Sequence, residues 1–225
     1  MSARSQSPVI LYMDYFSQPS RAVLSFCLIA NIPHEVREIR IMRGDHLSEE
    51  FSRINPIKTI PTIVHNNITI CESHAILAYL ATVFHAEDHW YPSDPAQRAY
   101  VDQYLHWHHQ NIRFGCGYYV FFRIYGIKLK VVKSSVDIDE MILERQKKAL
   151  AFVNETLSAF PFIAKTYSPT IADLSCYCEF SQMEILNFDF SEYPNIINWM
   201  RVIGEIQGVK EAHRVWNKFL PRMKM

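Results

Sequence analysis

Three short segments carry residue types whose order and spacing could do chemistry. In "DYFSQPSRAV" (14–23), Ser17 stands two residues before Pro19, where a strand-like run gives way to a helical one. Proline suits the first helical turn, because the N–H it lacks has no partner there. Ser17 therefore sits where unpaired backbone N–H groups and the positive end of the helix dipole converge. A thiolate held there would gain from the dipole and from a hydroxyl donor. Lowering a thiol pKa by about two units is worth about 2.7 kcal/mol, and one charge-assisted hydrogen bond supplies about 1.5–3 kcal/mol. The plainer alternative is that Ser17 caps the helix, as serine often does. Ser20 falls inside the first turn, pointing away from the strand ends.

The second segment is "NPIKTIPTIV" (55–64), where Ile60-Pro61 enters a strand. Proline in that place opens a strand in trans or takes the cis form. In the cis form, Ile60's N–H and C=O would turn outward to pair with an extended ligand. The third is "CESHA" (71–75). Ser73 is a candidate N-cap that could also take a ligand carboxylate, and Glu72 could face an ammonium group. Both segments have bland readings, a strand start and a cap.

The elements that must position these residues change texture near residue 84. "VILYM" (9–13), "HEVREIRI" (34–41), "PTIVH" (61–65) and "ITIC" (68–71) read as strands. Asn66-Asn67 between the last two reads as a two-residue hairpin turn. Residues 20–31 and 72–84 read as helices. "HAEDHWYPSDP" (85–95) lacks an apolar period and reads as a linker. Helical patterns then cover 95–125, 137–158, 170–186, 194–206 and 209–219. On 137–158, Ile138, Met141, Ile142, Arg145, Ala149, Phe152, Val153 and Leu157 form the expected buried stripe. Gly115 and Gly117 would each cost about 1 kcal/mol inside a helix, so a kink or local opening is expected there.

Composition narrows the classes. The 225-residue chain is 49% hydrophobic and carries 23 basic against 23 acidic residues, without the basic excess of a nucleic-acid binder. No apolar run is long enough to span a membrane, and "MSARSQSP" lacks the apolar core of a secretory signal. Five cysteines without C-x-x-C spacing read as reduced thiols in a cytosol, with Cys27 in the core. His106 and His109 share a helix face, but two histidines without an acid make a poor metal site. Trp107, Trp199 and Trp216 read as helix packing. The aromatic run 114–125 reads as pocket wall, interhelical core, or both.

Taken in order, "DYFSQPSRAV", "RGDHLSEEF", "NPIKTIPTI", "ITICESHAILAYL" and "HWYPSDPAQRAYVDQYL" resemble the cytosolic glutathione transferases, most closely the theta class. The likeness implies an α+β, thioredoxin-like N-terminal domain (βαβ-α-ββα, 1–84), a linker (85–95) and an all-α C-terminal domain (96–225) lining an electrophile pocket. It implies a cytoplasmic homodimer that uses glutathione as co-substrate, with no other cofactor, no metal, and neither a nucleic-acid nor a membrane partner. The implied reaction joins glutathione's thiolate to a small hydrophobic electrophile such as an alkyl halide, an epoxide or an organic hydroperoxide. The alternative is a non-catalytic glutathione or ligand binder on the same fold.

Residue by residue, the resemblance implies that Ser17 stabilises the thiolate and that His46 and Lys58 meet the glycine end. Ile60 would pair its backbone with the cysteinyl part beside a cis Pro61. Glu72 and Ser73 would hold the γ-glutamyl end, and Arg113 would lie near the active site. "SPTIADL" (168–174) resembles the family's capping box, with Thr170 as N-cap and Asp173 reaching back. Other classes use a tyrosine or a cysteine. Tyr12 and Tyr15 are the tyrosine candidates, and no cysteine occupies 15–20, as a thiol–disulfide or dehydroascorbate reductase would need. Gln110 stands where some theta enzymes carry an acid. The chain ends at Met225, where mammalian theta members run on over the active site, so a more open pocket is expected.

Overall fold

A computed structural model describes residues 7–126 and 136–223, without the side chains of 125–126 and 136–139. The leader reading on "MSARSQSP" and the Ile138 position of the expected stripe lie outside what it describes.

The N-terminal part is a four-stranded mixed sheet in the order β2-β1-β3-β4, the thioredoxin-like arrangement. Strand β1 (Val9–Met13) pairs in parallel with β2 (His34–Glu38) across helix α1 (Gln18–Ile29), and antiparallel with β3 (Thr62–His65). β3 turns through Asn66 and Asn67, at φ 49° and 64°, into β4 (Ile68–Cys71). Asparagine tolerates this left-handed backbone, so the two-residue turn forms as the sequence led us to expect. β2 stops at Glu38 rather than at residue 41. Two carboxylates draw the backbone out of the sheet there: Asp45 accepts from Arg40 N at 3.1 Å and Asp14 accepts from Ile41 N at 3.0 Å. Ser48 then caps α2 (Glu49–Ile54), accepting from Phe51 N at 3.2 Å. Helix α3 (Ser73–Val83) follows β4.

The C-terminal part is helical. α4 (Pro95–His108), capped by Asp94, continues without a break as a π-helix over His109–Gly117. A short α5 (Tyr118–Val120) and a second π stretch (Phe121–Gly126) extend it. α6 (Val136–Ala159), α7 (Ile171–Met183), α8 (Pro194–Gly204) and α9 (Gln207–Met223) complete it. The opening expected at Gly115 and Gly117 is this π geometry, a looser winding and not a kink. Gly115 is where α6 closes in. A Cβ there would lie 2.7 Å from Gln146 Cα, and Gln146 Nε2 donates to Gly115 O at 2.8 Å. The α6 stripe is shifted from the expected one. Ile142, Ala149 and Val153 are buried, but Met141 is 53% and Phe152 48% exposed, and the polar Gln146 takes a core place. Phe152 lies on Trp107 at 4.8 Å between ring centres instead of entering the core.

α7 is the central strut, with every residue buried except Tyr177. Its start is the expected capping box. Thr170 accepts from Ala172 N at 3.2 Å and Asp173 accepts from Thr170 N at 2.8 Å. Asp173 does more than cap, also accepting from Ile163 N at 3.1 Å and Trp199 Nε1 at 2.9 Å. Burial nonetheless raises its pKa, against those same hydrogen bonds. Cys27 is core, as expected, its thiol pushed up to about 12 by burial. Among the described residues no helix is long and apolar enough to cross a membrane.

Candidate functional site

The turn between β1 and α1 is built by Asp14. Its carboxylate accepts from Phe16 N at 2.9 Å as well as from Ile41 N, and its carbonyl accepts from Ser17 N at 3.0 Å. This fold of the chain leaves Ser17 at the N-cap of α1, with φ −86° and ψ 121°, next to Pro19 in the first turn. The capping alternative fails on one point. Ser17's side chain makes no capping hydrogen bond. Ser17 is 8% exposed and lines a cavity of about 400 Å³.

That cavity lies where the two halves meet. Ser17, Gln18 and Pro19 come from α1, Met42 and His46 from the turns after β2, Lys58, Thr59 and Ile60 from the loop before β3, and Arg113, Gly117, Tyr118 and Phe121 from the π-helical segment. Asn55 shapes the loop, its Nδ2 donating to Thr59 O and Thr62 Oγ1, both at 3.0 Å. Lys58 is held at φ 61°, and the Ile60–Pro61 bond is cis. Among the described residues Ile60's backbone N–H and C=O make no hydrogen bond, and the buried Nδ1 of His46 has no partner. Lys58, Arg113 and Asp14 all line the cavity, and the Asp14 carboxylate is already engaged by two N–H groups. Phe16, Met42, Ile60, Tyr118 and Phe121 give the cavity an apolar side.

Glu72 and Ser73 do not line this cavity. Cys71 pairs opposite Thr62 in the last step of the ladder, so Glu72 follows at the end of the sheet that the Ile60–Pro61 loop enters. Ser73 is not the cap it was expected to be. Glu72 occupies that position at φ 69°, and Ser73 is the buried first residue of α3. Positive φ costs a non-glycine residue of order 1–3 kcal/mol, and such strain gathers at functional sites. Lys58 and Glu72 both carry it. Tyr12 and Tyr15 are not among the lining residues, and Ser20's hydroxyl is buried in the first turn of α1.

Sequence reasoning missed the layer behind Arg113. Glu179 on α7 is fully buried, with Arg113 Nε 2.7 Å from Oε1, an ion pair without the alignment of a hydrogen bond. Gln18 Nε2 donates to Oε2 at 3.2 Å, and His108 Nε2 lies 3.6 Å from Oε1. Burial raises Glu179's pKa, opposed by the charges of Arg113 and Arg21. His108 is held neutral, mainly by burial and then by Arg113. A glutamate in the body of a helix carries no local signature, so only the fold reveals it. His106 and His109 are both exposed, and His109 faces His74 at 4.6 Å between ring centres. Among the described residues no group of three or more His, Cys, Asp or Glu is placed to hold a metal.

A family model for the glutathione S-transferase N-terminal domain matches residues 11–87. Rat glutathione S-transferase theta-2 is 35% identical over 211 residues, 90% of this chain and 84% of that protein. Arabidopsis thaliana glutathione S-transferase T1 is 36% identical over 187 residues, 79% and 73% of the two chains. The crystal structure of human glutathione transferase theta-2 in complex with glutathione superposes with a TM-score of 0.87 at 32% identity, covering 96% of this chain and 90% of that one. A human theta-class enzyme bound to the glutathione conjugate of 1-menaphthyl sulfate gives 0.86 at 32% identity, with the same coverage of 96% and 90%. The chain belongs to the theta-class glutathione S-transferases.

Proposed function

We propose that Ser17 donates its hydroxyl hydrogen to the sulfur of glutathione and holds it as a thiolate for attack on a small hydrophobic electrophile. The observation that carries the reading is a serine at a helix N-cap whose side chain makes no capping bond and which lines a cavity together with His46, Lys58 and Arg113. The hydroxyl and the helix dipole together can supply the roughly 2.7 kcal/mol that a two-unit fall in thiol pKa requires. No protein base is needed.

Glutathione lies, in this reading, along the edge formed by the loop before β3. Its cysteinyl part pairs with the free N–H and C=O of Ile60, a short strand addition. His46 and Lys58 take the glycine carboxylate. Glu72 and Ser73 take the γ-glutamyl end, with Ser73 and the N-terminus of α3 offered to its carboxylate. Arg113, Tyr118 and Phe121 face the electrophile, which would be an alkyl halide, an epoxide or an organic hydroperoxide. We divide the labour between residues 1–84, which bind glutathione, and 96–225, which line the electrophile side, and we take the working form to be a cytoplasmic homodimer.

Ser17→Ala is expected to lower kcat by about 10- to 100-fold, the worth of one hydrogen bond to a charged sulfur, with glutathione affinity by isothermal titration little changed. Turnover near that of the unaltered enzyme across a panel of those three electrophile classes would refute the role given to Ser17.

A further inference from the structure

Glu179 takes no part in the chemistry just described, yet it is a fully buried carboxylate contacted from three other elements. Gln18, the residue after Ser17, reaches it from α1 at 3.2 Å. Arg113, whose side chain is 19% exposed and lines the cavity, reaches it from the π-helix at 2.7 Å. His108 approaches from the end of α4 at 3.6 Å. Arg21 on α1 and His109 on the π-helix also act on it, and Tyr104, Cys116, Cys176 and Cys178 are further titratable side chains within its influence. A buried charge is costly unless paired, and removing one partner leaves the other exposed to that cost. The arrangement is thus mutually enforced, with each partner having reason to stay.

Room for it is made by Gly117. A Cβ at that position would fall 2.6 Å from Glu179 Oε2, 3.0 Å from Arg113 Cδ and 3.4 Å from Gln18 Nε2. A side chain there would crowd the Glu179 carboxylate and the Arg113 stem, while only touching Gln18. Arg113 and Gly117, four residues apart on the π-helix, meet the same carboxylate.

We propose that Glu179 is a positioning residue for the transferase reaction, fixing Arg113 at the electrophile side of the cavity and Gln18 beside Ser17, with Gly117 as the gap that admits it. The inference rests on the reading of this cavity as the transfer site but not on the role given to Ser17. Glu179 touches none of the residues assigned to glutathione, although its partner Gln18 adjoins Ser17, so its loss should leave glutathione binding largely intact and act on the transfer step. A misplacement of about 1 Å can cost on the order of 100-fold in rate.

The test is a double-mutant cycle of Glu179→Gln and Arg113→Met, with active sites counted by glutathione titration so that unfolded enzyme does not enter the rates. E179Q keeps the shape and loses the charge. It is expected to lower kcat with an alkyl halide by about 10- to 100-fold and to leave glutathione KM within about threefold, while Glu179→Asp recovers part of the loss. Because Arg113 is the cavity-lining group that Glu179 fixes, the E179Q and R113M losses should fall well short of multiplying in the double variant, whereas independent sites would multiply within about twofold. Gly117→Ala should reproduce the E179Q pattern from the other side, and it serves in the cycle should E179Q fail to fold. An E179Q rate equal to the unaltered enzyme, or effects of E179Q and R113M that multiply, would overturn the proposal. A silent S17A alongside a coupled cycle would refute the serine and spare Glu179, and the reverse pattern would do the opposite.

Discussion

At Ser17 the residue type and the local geometry point in different directions, and the difference is informative. A serine before a proline-started helix looks like a cap, but its hydroxyl makes no bond to the helix it precedes. The sequence made the position legible because everything that defines it lies within a few residues. Glu179 was not legible for the opposite reason, since Gln18 is 161 residues away and only the packing of α7 against α1 joins them. The same holds for His213, whose Nε2 lies 3.4 Å from Ser181 Oγ on α7, whose Nδ1 donates to Val209 O at 2.9 Å, and whose pKa burial pulls from 6.5 to about 3. In the unfolded chain it titrates near its ordinary value. As pH falls below about 6.5 the unfolded state therefore takes the proton first, and stability present above that pH is lost progressively down to about 3. His213→Asn should flatten the fall in stability by about 1.4 kcal/mol per pH unit in that window, as read from urea melts at a series of acidic pH values. An unchanged slope would mean that His213 is not the residue that stays neutral.

Elements were legible where their punctuation is local. Asn66-Asn67, Pro19 and the Thr170–Asp173 box mark boundaries through backbone chemistry within one turn, and those boundaries form. β2 ends early because Asp14, 27 residues from Ile41, competes for its backbone. The α6 stripe is displaced because Gln146 is drawn inward to the carbonyl of Gly115, a contact no period in the sequence announces. The two glycines signalled a departure from α geometry, but a π-helix of nine residues depends on what packs against it. Gly115→Ala brings a Cβ to 2.7 Å of Gln146 Cα and 2.8 Å of its N, backbone atoms that cannot swing away. It should cost roughly 1–3 kcal/mol by thermal or urea unfolding, although alanine is the better helix former. A neutral or stabilising result would show that α6 can retreat.

For the whole molecule, α1 decides how the halves are joined. Arg21, one turn after Ser17, is fully buried between them. Its Nη1 donates to Tyr15 O at 3.0 Å, its Nη2 to Gln182 Oε1 at 2.7 Å, and the guanidinium lies 4.6 Å from the centre of the Trp216 ring. Phe16 adds a second tie, edge-on to Trp216 at 6.2 Å and to Phe219 at 5.9 Å. Arg21→Met leaves several buried acceptors without donors, at about 1–3 kcal/mol each. Calorimetry should show a melting temperature well below that of the parent and a single transition split into two. One cooperative transition at the parent temperature would place the coupling elsewhere. The helix that Ser17 opens is therefore also the seam of the protein. Recombining this chain with a distant relative at the end of the matched 11–87 segment would set a foreign α1 against the resident Gln182 and Trp216. Hybrids should survive only when the parent that donates α1 also donates α7 and α9, so the natural unit of exchange is discontinuous along the gene.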